Sequence, residues 1–202
     1  MKPEAVVFDL GKVLVDFDYG IAVSNLSRRS GRSHADLKTL IDQSPLLHRL
    51  ESGAISDEQF FEEVRNAIGF PGGFAEFEGL IANIFEPIPE MIHLHRRLRA
   101  QGVPVFIFSN TNGFAVRHIR DKFPFFREFD DYILSYEHGS MKPDARLYEV
   151  VEEKTGKKGG RLVYLDDRPE NIETGRLRGW VGIVHSRADE TERALRQTGL
   201  LI

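Results

Sequence analysis

Three aspartates in this sequence end short apolar runs of residues. Asp9 ends the stretch AVVFD, and the adjacent Asp166 and Asp167 end the stretch RLVYLDD. Carboxylates that are brought together repel one another unless a cation joins them, and hard oxygen ligands with few imidazoles favour Mg²⁺. These residue types therefore predict a metal site, provided that the fold brings the two stretches together.

A second group of polar residues has the chemistry to bind a phosphoryl group. Ser109, Asn110 and Thr111 follow the apolar run VPVFIF, which begins at Val103. A hydroxyl group and the backbone amides at the start of a helix bind phosphate oxygens, and Lys142 adds a full positive charge. Together with the carboxylates, these residues suit phosphoryl transfer.

These side chains can act together only if the ends of several strands meet. Apolar runs begin at residues 5, 103, 131, 161 and 180, and most of them are separated by segments with helical periodicity. Strands that alternate with helices predict an α/β fold, with a Rossmann-like parallel sheet flanked by helices. Right-handed crossovers place the carboxyl ends of all its strands along one edge, where ligands bind in such sheets.

Residues 16–87 interrupt this alternation, because helical periodicity recurs there without an intervening strand. Within this block, Ser56 followed by Gln59 has the pattern of a capping box, which marks the start of a helix. A helical block inserted directly after the first strand would lie above the strand ends as a lid. We therefore expect an α/β core formed by residues 1–15 and 88–202, and a helical cap formed by residues 16–87.

Composition and charge disfavour several classes of function. A net charge of −4 and a pI near 6.0 give no general attraction to nucleic acid or to an anionic membrane. The lack of cysteine excludes disulfides and thiolate metal sites, and is compatible with a reducing compartment. No apolar stretch approaches the ~20 residues of a membrane span, and no signal peptide is recognisable. We expect a globular, cytoplasmic protein with neither nucleic acid nor membrane as a partner, and make no prediction of its oligomeric state.

Four short motifs follow one another in the order DLGKVL, FSNT, MKP and LDDRPEN. Each is weak alone, since an isolated pair such as SN or KP occurs by chance, but four in order at strand ends form a strong signal. On these residues the whole chain resembles the haloacid dehalogenase superfamily of hydrolases. FDLGKVL and the cap stretch LLHRLESGAISDEQF are most similar to the branch that contains α-glucose-1-phosphate phosphatase. The resemblance implies a cap of the C1 type.

The resemblance also implies a reaction. Asp9 would attack the phosphoryl group of a small phosphorylated metabolite, such as a sugar phosphate, to form an aspartyl phosphate that water then hydrolyses. Mg²⁺ would be held by Asp9, the backbone carbonyl of Gly11 and Asp166, while Asp167 would act through water or orient the site. The implied activity is that of a Mg²⁺-dependent phosphomonoester hydrolase, with glucose 1-phosphate as an example of its substrate.

Further roles follow from the same resemblance. Ser109 and the backbone amide of Asn110 would bind phosphoryl oxygens, and Lys142 would neutralise the charge of both the phosphoryl group and Asp9. Asn171 would steady the metal or Lys142. In the cap, the segment that would close over the site contains His48, Arg49 and Glu51, which either contact the substrate or remain at the surface. We predict substrate contacts for His48 and Arg49.

Gly11 departs from the pattern of the superfamily, because most of its phosphatases have a second aspartate at this position. That aspartate protonates the leaving oxygen and later activates water, and such general acid–base catalysis contributes ~10²- to 10⁴-fold. Two alternatives stay open: a phosphatase with a reduced rate, and a catalytically silent protein that binds a phosphometabolite. Haloacid dehalogenation is less favoured, because DLGKVL and the pair of Asp166 and Asp167 look more like the phosphatases.

Overall fold

A computed structural model describes residues 2–201, and a five-stranded parallel sheet lies at its centre. In chain order the strands are β1 (Ala5–Phe8), β2 (Val15–Phe17), β3 (Phe85–Pro87), β4 (Val105–Ser109), β5 (Asp131–Leu134), β6 (Leu162–Asp166) and β7 (Val181–Val184). The sheet has the order β5-β4-β1-β6-β7, and β2 pairs with β3 in a separate antiparallel ribbon. The predicted α/β fold with a parallel sheet is confirmed.

Helices follow most of the strands and fill the segment between β2 and β3. They are α1 (Tyr19–Ser30), α2 (His34–Ile41), α3 (Pro45–Glu51), α4 (Asp57–Ile68), α5 (Phe74–Ala82), α6 (Pro89–Ala100), α7 (Gly113–Lys122), α8 (Ser135–His138), α9 (Ala145–Thr155), α10 (Pro169–Leu177) and α11 (Ala188–Gln197). Within residues 2–201, none of these helices combines the length and the apolar character that crossing a membrane requires.

The central strand β1 is buried on both faces. Val6 and Phe8 belong to the apolar cluster on one side of the sheet, whereas Ala5 and Val7 belong to the cluster on the other side. Successive side chains of a strand point to opposite faces, so a strand that is covered by helices on both sides is apolar throughout. This double burial explains why the run AVVF has no alternation of apolar and polar residues.

Strand register determines which residues meet at the carboxyl edge of the sheet. Phe8 of β1 is in register with Ile107 of β4 on one side and with Leu165 of β6 on the other. Asp9 follows Phe8 and Asp166 follows Leu165, so the two carboxylates leave neighbouring strands at the same level. The parallel sheet therefore brings together the first and the fourth motif.

Helices α1 to α5 form an insertion with its own hydrophobic cluster. Leu26, Leu37, Val64 and Phe77 are fully buried in this cluster, and Phe114 of α7 joins it from the sheet side. The chain enters the insertion through β2 and leaves it through β3, and these strands pair with each other. The two connections to the sheet therefore lie side by side.

Local sequence signals mark the start of two helices of the insertion, α3 and α4. Ser56 and Gln59 form the predicted capping box at the start of α4, with each side chain bonded to the backbone of the other. The Ser44 side chain accepts a hydrogen bond from the backbone N–H of Leu47, and Pro45 occupies the first turn of α3. The sequence analysis did not predict α3, although its serine cap and proline are both visible in the sequence.

Candidate active site

Lys142 lies between two carboxylates at the carboxyl edge of the sheet. Its Nζ atom is 2.9 Å from Oδ1 of Asp9 and 2.6 Å from Oδ2 of Asp166. It also donates a 3.0 Å hydrogen bond to the backbone carbonyl of Phe108. Asp9, Lys142 and Asp166 are 7%, 5% and 0% exposed, respectively. The buried ammonium group is therefore compensated by a carboxylate on either side.

Asp166 is held in one orientation by several donors besides Lys142. The Tyr164 hydroxyl group donates a short hydrogen bond to Oδ2, and the backbone N–H of Arg168 donates to Oδ1 at 2.8 Å. Nδ2 of Asn171 lies 3.0 and 3.1 Å from the two carboxylate oxygens. Asn171, which was predicted to steady the metal or Lys142, thus acts directly on the carboxylate of Asp166.

The loop after β4 is joined to Lys142 through a side chain. Nδ2 of Asn110 donates to the backbone carbonyl of Lys142 at 2.9 Å, and the backbone N–H of Lys142 donates to Oδ1 of Asn110 at 2.7 Å. The sequence analysis considered only the backbone amide of Asn110. Its side chain fixes the distance between the loop that contains Ser109 and the lysine of the third motif.

Burial and pairing set the protonation of these groups in different ways. Burial raises the pKa of Asp9 to about 7 against the opposing effect of Lys142, and Asp166 adds to the increase. Burial alone would lower the pKa of Lys142, but Asp9 and Asp166 raise it above its ordinary value. Burial alone would raise the pKa of Asp166, but Lys142 and the hydrogen bonds from Tyr164 and Arg168 lower it. Lys142 and Asp166 therefore form an ion pair, and further positive charge favours ionised Asp9.

Three carboxylates at this edge of the sheet could hold a metal ion. Asp9, Asp166 and Asp167 each present an oxygen, and these atoms lie within 4.8 Å of one another. Burial raises the pKa of Asp167, and the neighbouring Asp166 raises it further, so the ionised form needs compensation. Lys142 supplies a single positive charge to this group. The hard oxygen donors and the uncompensated negative charge therefore fit Mg²⁺.

A cavity of about 670 Å³ lies between the carboxyl edge of the sheet and the insertion. The sheet side contributes Asp9, Ser109 and Lys142 to its wall, together with Asp167 and Asn171. The insertion contributes polar and aromatic side chains that include Tyr19, Asp42, Gln43, Ser44, His48 and Glu51. A cavity of this volume accommodates a small ligand, which would contact both parts of the chain at once.

Gly11 lies in the cavity wall, close to an aromatic ring. A Cβ atom at position 11 would lie only 2.8 Å from Cε1 of Phe17. The Phe17 ring packs against Tyr19, with ring centroids 5.5 Å apart, and the Lys12 ammonium group lies 4.7 Å from its centroid. Any side chain at position 11 would therefore require the Phe17 ring to move.

The predicted substrate-binding residues of the insertion have different surroundings. His48 lines the cavity, but Arg49 is not part of its wall. The guanidinium group of Arg49 instead forms hydrogen bonds of 2.9 and 3.0 Å with the carboxylate of Glu63 on α4. The cavity wall thus excludes Arg49 but includes Glu51 of the same helix, a candidate for which the sequence analysis did not predict a substrate contact.

Residues 3–179 match the family model of haloacid dehalogenase-like hydrolases. The chain belongs to this family. The match includes the strands that carry the four motifs, and it confirms the resemblance that those motifs indicated. This haloacid dehalogenase-like protein is accordingly a hydrolase, and its carboxylate-rich cavity is the candidate active site.

Two curated relatives of this haloacid dehalogenase-like hydrolase match most of its length. A sesquiterpene phosphatase of Aspergillus oryzae, astK, is 27% identical over 199 residues, which cover 96% of this chain and 95% of the relative. A D-ribitol-5-phosphate phosphatase of Bacteroides thetaiotaomicron is 24% identical over 185 residues, which cover 87% and 88%, respectively.

A similar fold has been solved with ligands. A HAD family enzyme of Bacteroides thetaiotaomicron, crystallised in complex with magnesium and inorganic phosphate, superposes with a TM-score of 0.80 at 20% identity. The superposition covers 91% of this chain and 94% of that protein. At this level of identity the likeness concerns the fold.

Proposed function

We propose that this hydrolase is a Mg²⁺-dependent phosphatase that acts on a phosphate monoester of a small alcohol. The observation that carries the proposal is the buried group of Asp9, Lys142 and Asp166, of which Asp9 and Lys142 line a cavity of metabolite size. Two relatives are named as phosphatases, and a protein of similar fold was crystallised with magnesium and phosphate. These findings support the same reaction for this chain.

Asp9 is the nucleophile in the proposed reaction. Its carboxylate oxygen attacks phosphorus while the bond to the leaving alcohol breaks, and water then hydrolyses the resulting aspartyl phosphate. Lys142, whose Nζ lies 2.9 Å from Asp9, reduces the repulsion between the anionic nucleophile and the anionic substrate. Ser109 and the backbone amides after it would bind the phosphoryl oxygens.

The proposed metal ligands are Asp9, the backbone carbonyl of Gly11 and Asp166, with Asp167 beside them. When bound, Mg²⁺ supplies positive charge that stabilises the charge on the phosphoryl oxygens. The contribution of this chain is to keep Asp166 ionised and oriented, through Lys142 and the donors around it. A carbonyl ligand needs no side chain, so glycine at position 11 leaves this set complete.

We propose that the insertion, residues 16–87, acts as a cap that selects the substrate, and that the substrate is a sugar phosphate. The cap contributes carboxylate, amide, hydroxyl and imidazole groups to the cavity wall, from Asp42, Gln43, Ser44 and His48. Such groups form hydrogen bonds with the hydroxyl groups of a sugar. An anomeric oxygen leaves more readily than an ordinary sugar alkoxide. A hexose 1-phosphate is therefore the preferred substrate if protonation of the leaving oxygen limits the rate.

Gly11 supports a second candidate function, that of a phosphometabolite-binding protein without turnover. The position lacks the carboxylate that protonates the leaving group in most phosphatases that this chain resembles, and the Phe17 ring occupies the space beside it. In this case the lysine and the loop after β4 would bind phosphate, but no alcohol would be released.

Phosphate release decides between the two candidates. We would measure it for 4-nitrophenyl phosphate, glucose 1-phosphate and glucose 6-phosphate, with Mg²⁺ and again with excess EDTA. The phosphatase proposal predicts Mg²⁺-dependent release that EDTA abolishes. Release that EDTA leaves unchanged would contradict the metal requirement. Saturable binding of phosphate by calorimetry, with no release from any ester, would replace the phosphatase with the binding protein.

A further inference from the structure

We propose that Glu51 is the general acid and base of this active site, in place of the aspartate that Gly11 does not provide. The inference rests on the proposed phosphatase function, because it concerns the proton that the leaving alcohol needs. Glu51 is the last residue of α3 and lines the cavity from the insertion. It thereby offers a carboxyl group to the same ligand that Asp9 would attack.

The proposed proton transfers balance over the two steps. In the first, the bond between phosphorus and the leaving oxygen breaks as Asp9 attacks, and that oxygen takes the proton of the Glu51 carboxyl group. In the second, water bonds to phosphorus and gives a proton to the Glu51 carboxylate, while the bond between phosphorus and Asp9 breaks. Alcohol and phosphate leave, Glu51 is protonated again, and water is the only co-reactant.

The cavity places Glu51 on the side that a leaving group would occupy. In phosphoryl transfer the attacking and the leaving oxygens lie roughly in line on either side of phosphorus. With Asp9 attacking from the sheet edge, the leaving oxygen points away from the sheet. The insertion forms that part of the cavity wall, and Glu51 belongs to it.

A buried hydroxyl group ties Glu51 to the loop that follows β4. The Ser135 Oγ donates to the backbone carbonyl of Glu51 at 2.5 Å and accepts from the backbone N–H of Thr111 at 2.9 Å. Immediately after α3, a Cβ atom at Gly53 would lie 2.2 Å from the carbonyl oxygen of Tyr136, so the two backbones are in close contact. The end of α3 therefore keeps its position relative to the proposed phosphoryl site.

The environment of the Glu51 carboxyl group suits proton transfer near neutral pH. Burial raises its pKa to about 7, while a hydrogen bond from Tyr19 and the charge of Arg168 act in the opposite direction. The Tyr19 hydroxyl group lies 3.4 Å from Oε1, a long and therefore weak hydrogen bond. A carboxyl group whose pKa lies near the working pH can both donate and accept a proton.

Other charged or titratable side chains in the same cavity have different surroundings. Asp18, His48 and Arg168 are exposed, and Asp42 is half-buried directly after α2. Exposed groups are surrounded by water, which competes with the substrate for their protons. Glu51, which is also half-buried, differs from them in the hydrogen bond that anchors its backbone carbonyl to Ser135 on the sheet side.

The leaving-group dependence of Glu51→Gln tests the proposal. We would measure kcat/KM at saturating Mg²⁺ for glucose 6-phosphate, glucose 1-phosphate and 4-nitrophenyl phosphate, whose leaving groups need progressively less protonation. We expect a decrease of ~10²-fold for glucose 6-phosphate and of less than about threefold for 4-nitrophenyl phosphate. The matched control is Glu62→Gln on α4, where the exposed glutamate pairs with Arg65, and it should change none of the rates.

The pH profile gives a second readout. For the unmodified protein, kcat/KM on glucose 6-phosphate should decrease as the pH rises through about 7, because the first step needs protonated Glu51. This decrease should be absent from Glu51→Gln. Glu51→Asp, which keeps the acid on a shorter side chain, should retain the decrease together with part of the rate.

Several results would overturn the proposal. Equal losses on all three substrates would assign Glu51 a purely structural role, and an unchanged rate on glucose 6-phosphate would remove it from the reaction. If circular dichroism showed that Glu51→Gln is unfolded, Glu51→Asp would be used instead. The proposal would then be refuted if kcat/KM of Glu51→Asp on glucose 6-phosphate did not decrease as the pH rises through about 7. An unmodified protein that releases no phosphate from any ester would instead refute the phosphatase function itself.

Discussion

Nζ of Lys142 lies 2.9 Å from Oδ1 of Asp9, and both side chains are buried. The same ammonium group contacts Asp166, so it compensates two carboxylates that come from different motifs. The proposed nucleophile and the proposed metal ligand therefore depend on one cation for their stability as well as for their chemistry.

Replacing Lys142 with methionine should lower both activity and stability. The variant keeps an apolar stem of similar length but leaves two carboxylates buried without their partner, which costs about 3 kcal/mol or more. Mg²⁺ should restore part of this stability, because it provides another cation to the same oxygens. Urea denaturation with and without Mg²⁺ measures the effect. Lys158→Met, at a side chain that is 81% exposed, is the control. Equal stability of Lys142→Met and the control would contradict the role of the lysine.

Asp9→Asn should abolish turnover while the protein remains folded. An amide cannot form an aspartyl phosphate, so no phosphoenzyme should accumulate. Mass spectrometry of acid-quenched reactions would detect the phosphoenzyme in the unmodified protein, and its absence is expected in the variant. If Asp9→Asn kept about a tenth of the rate, equivalent to a barrier increase of only ~1.4 kcal/mol, the covalent mechanism would be wrong.

Asp166→Asn should weaken the response to Mg²⁺. The substitution removes a full negative charge from the proposed ligand set, so a higher Mg²⁺ concentration should be needed for half-maximal activity. Saturating Mg²⁺ should restore part of the rate. Titration of activity with Mg²⁺ measures the change, and thermal unfolding checks that the variant is folded. An unaltered Mg²⁺ dependence would remove Asp166 from the metal site.

Gly11→Asp should destabilise the protein because of the Phe17 ring. A Cβ atom at position 11 lies within 2.8 Å of this ring, and overpacking of this kind costs about 1 to 3 kcal/mol. In the double variant Gly11→Asp/Phe17→Leu, the smaller leucine side chain should restore part of the lost stability. Urea denaturation of both single variants and the double variant gives the coupling energy. Additive effects would show that the ring moves away without cost.

Stability should depend on pH through Glu51. Its pKa is about 7 in the folded protein, compared with an ordinary value of 4.5, so the unfolded chain loses this proton at lower pH than the folded chain. The stabilising contribution is complete below pH 4.5 and disappears as the pH rises to about 7. The difference in unfolding free energy between the unmodified protein and Glu51→Gln should therefore fall by about 2 kcal/mol over this range, allowing for partial exposure. A constant difference would mean that the pKa is not raised.

The sheet and its catalytic edge could be predicted from the sequence because strand order and chemistry are coupled in a parallel sheet. Asp9 and Asp166 end apolar runs, and strands covered on both faces have apolar runs without alternation. Because β1 and β6 are neighbouring strands with Phe8 opposite Leu165, the carboxylates of Asp9 and Asp166 must lie close together. This part of the site depends on the backbone, which sequence patterns indicate well.

The remaining features depend on side-chain contacts that the backbone pattern does not determine. The Tyr164 hydroxyl group on Asp166 and the Asn110 side chain on Lys142 have no periodicity that could indicate them. Helix α3 has seven residues, too few for a clear helical pattern, so the sequence could not indicate that Glu51 faces the cavity and that Arg49 does not.

The close approach between Gly11 and Phe17 has a consequence for how such sites evolve. A substitution that introduces aspartate at position 11 meets a ring that also packs on its neighbours, so the new acid is strained when it first arises. The change becomes accessible after the side chain at position 17 has become smaller or has turned away. Among homologous sequences, the two positions should therefore vary together, with glycine beside a large ring and aspartate beside a smaller side chain. One aromatic residue, Phe17 in the ribbon of β2 and β3, would then act as a barrier during evolution between two ways of supplying the same proton.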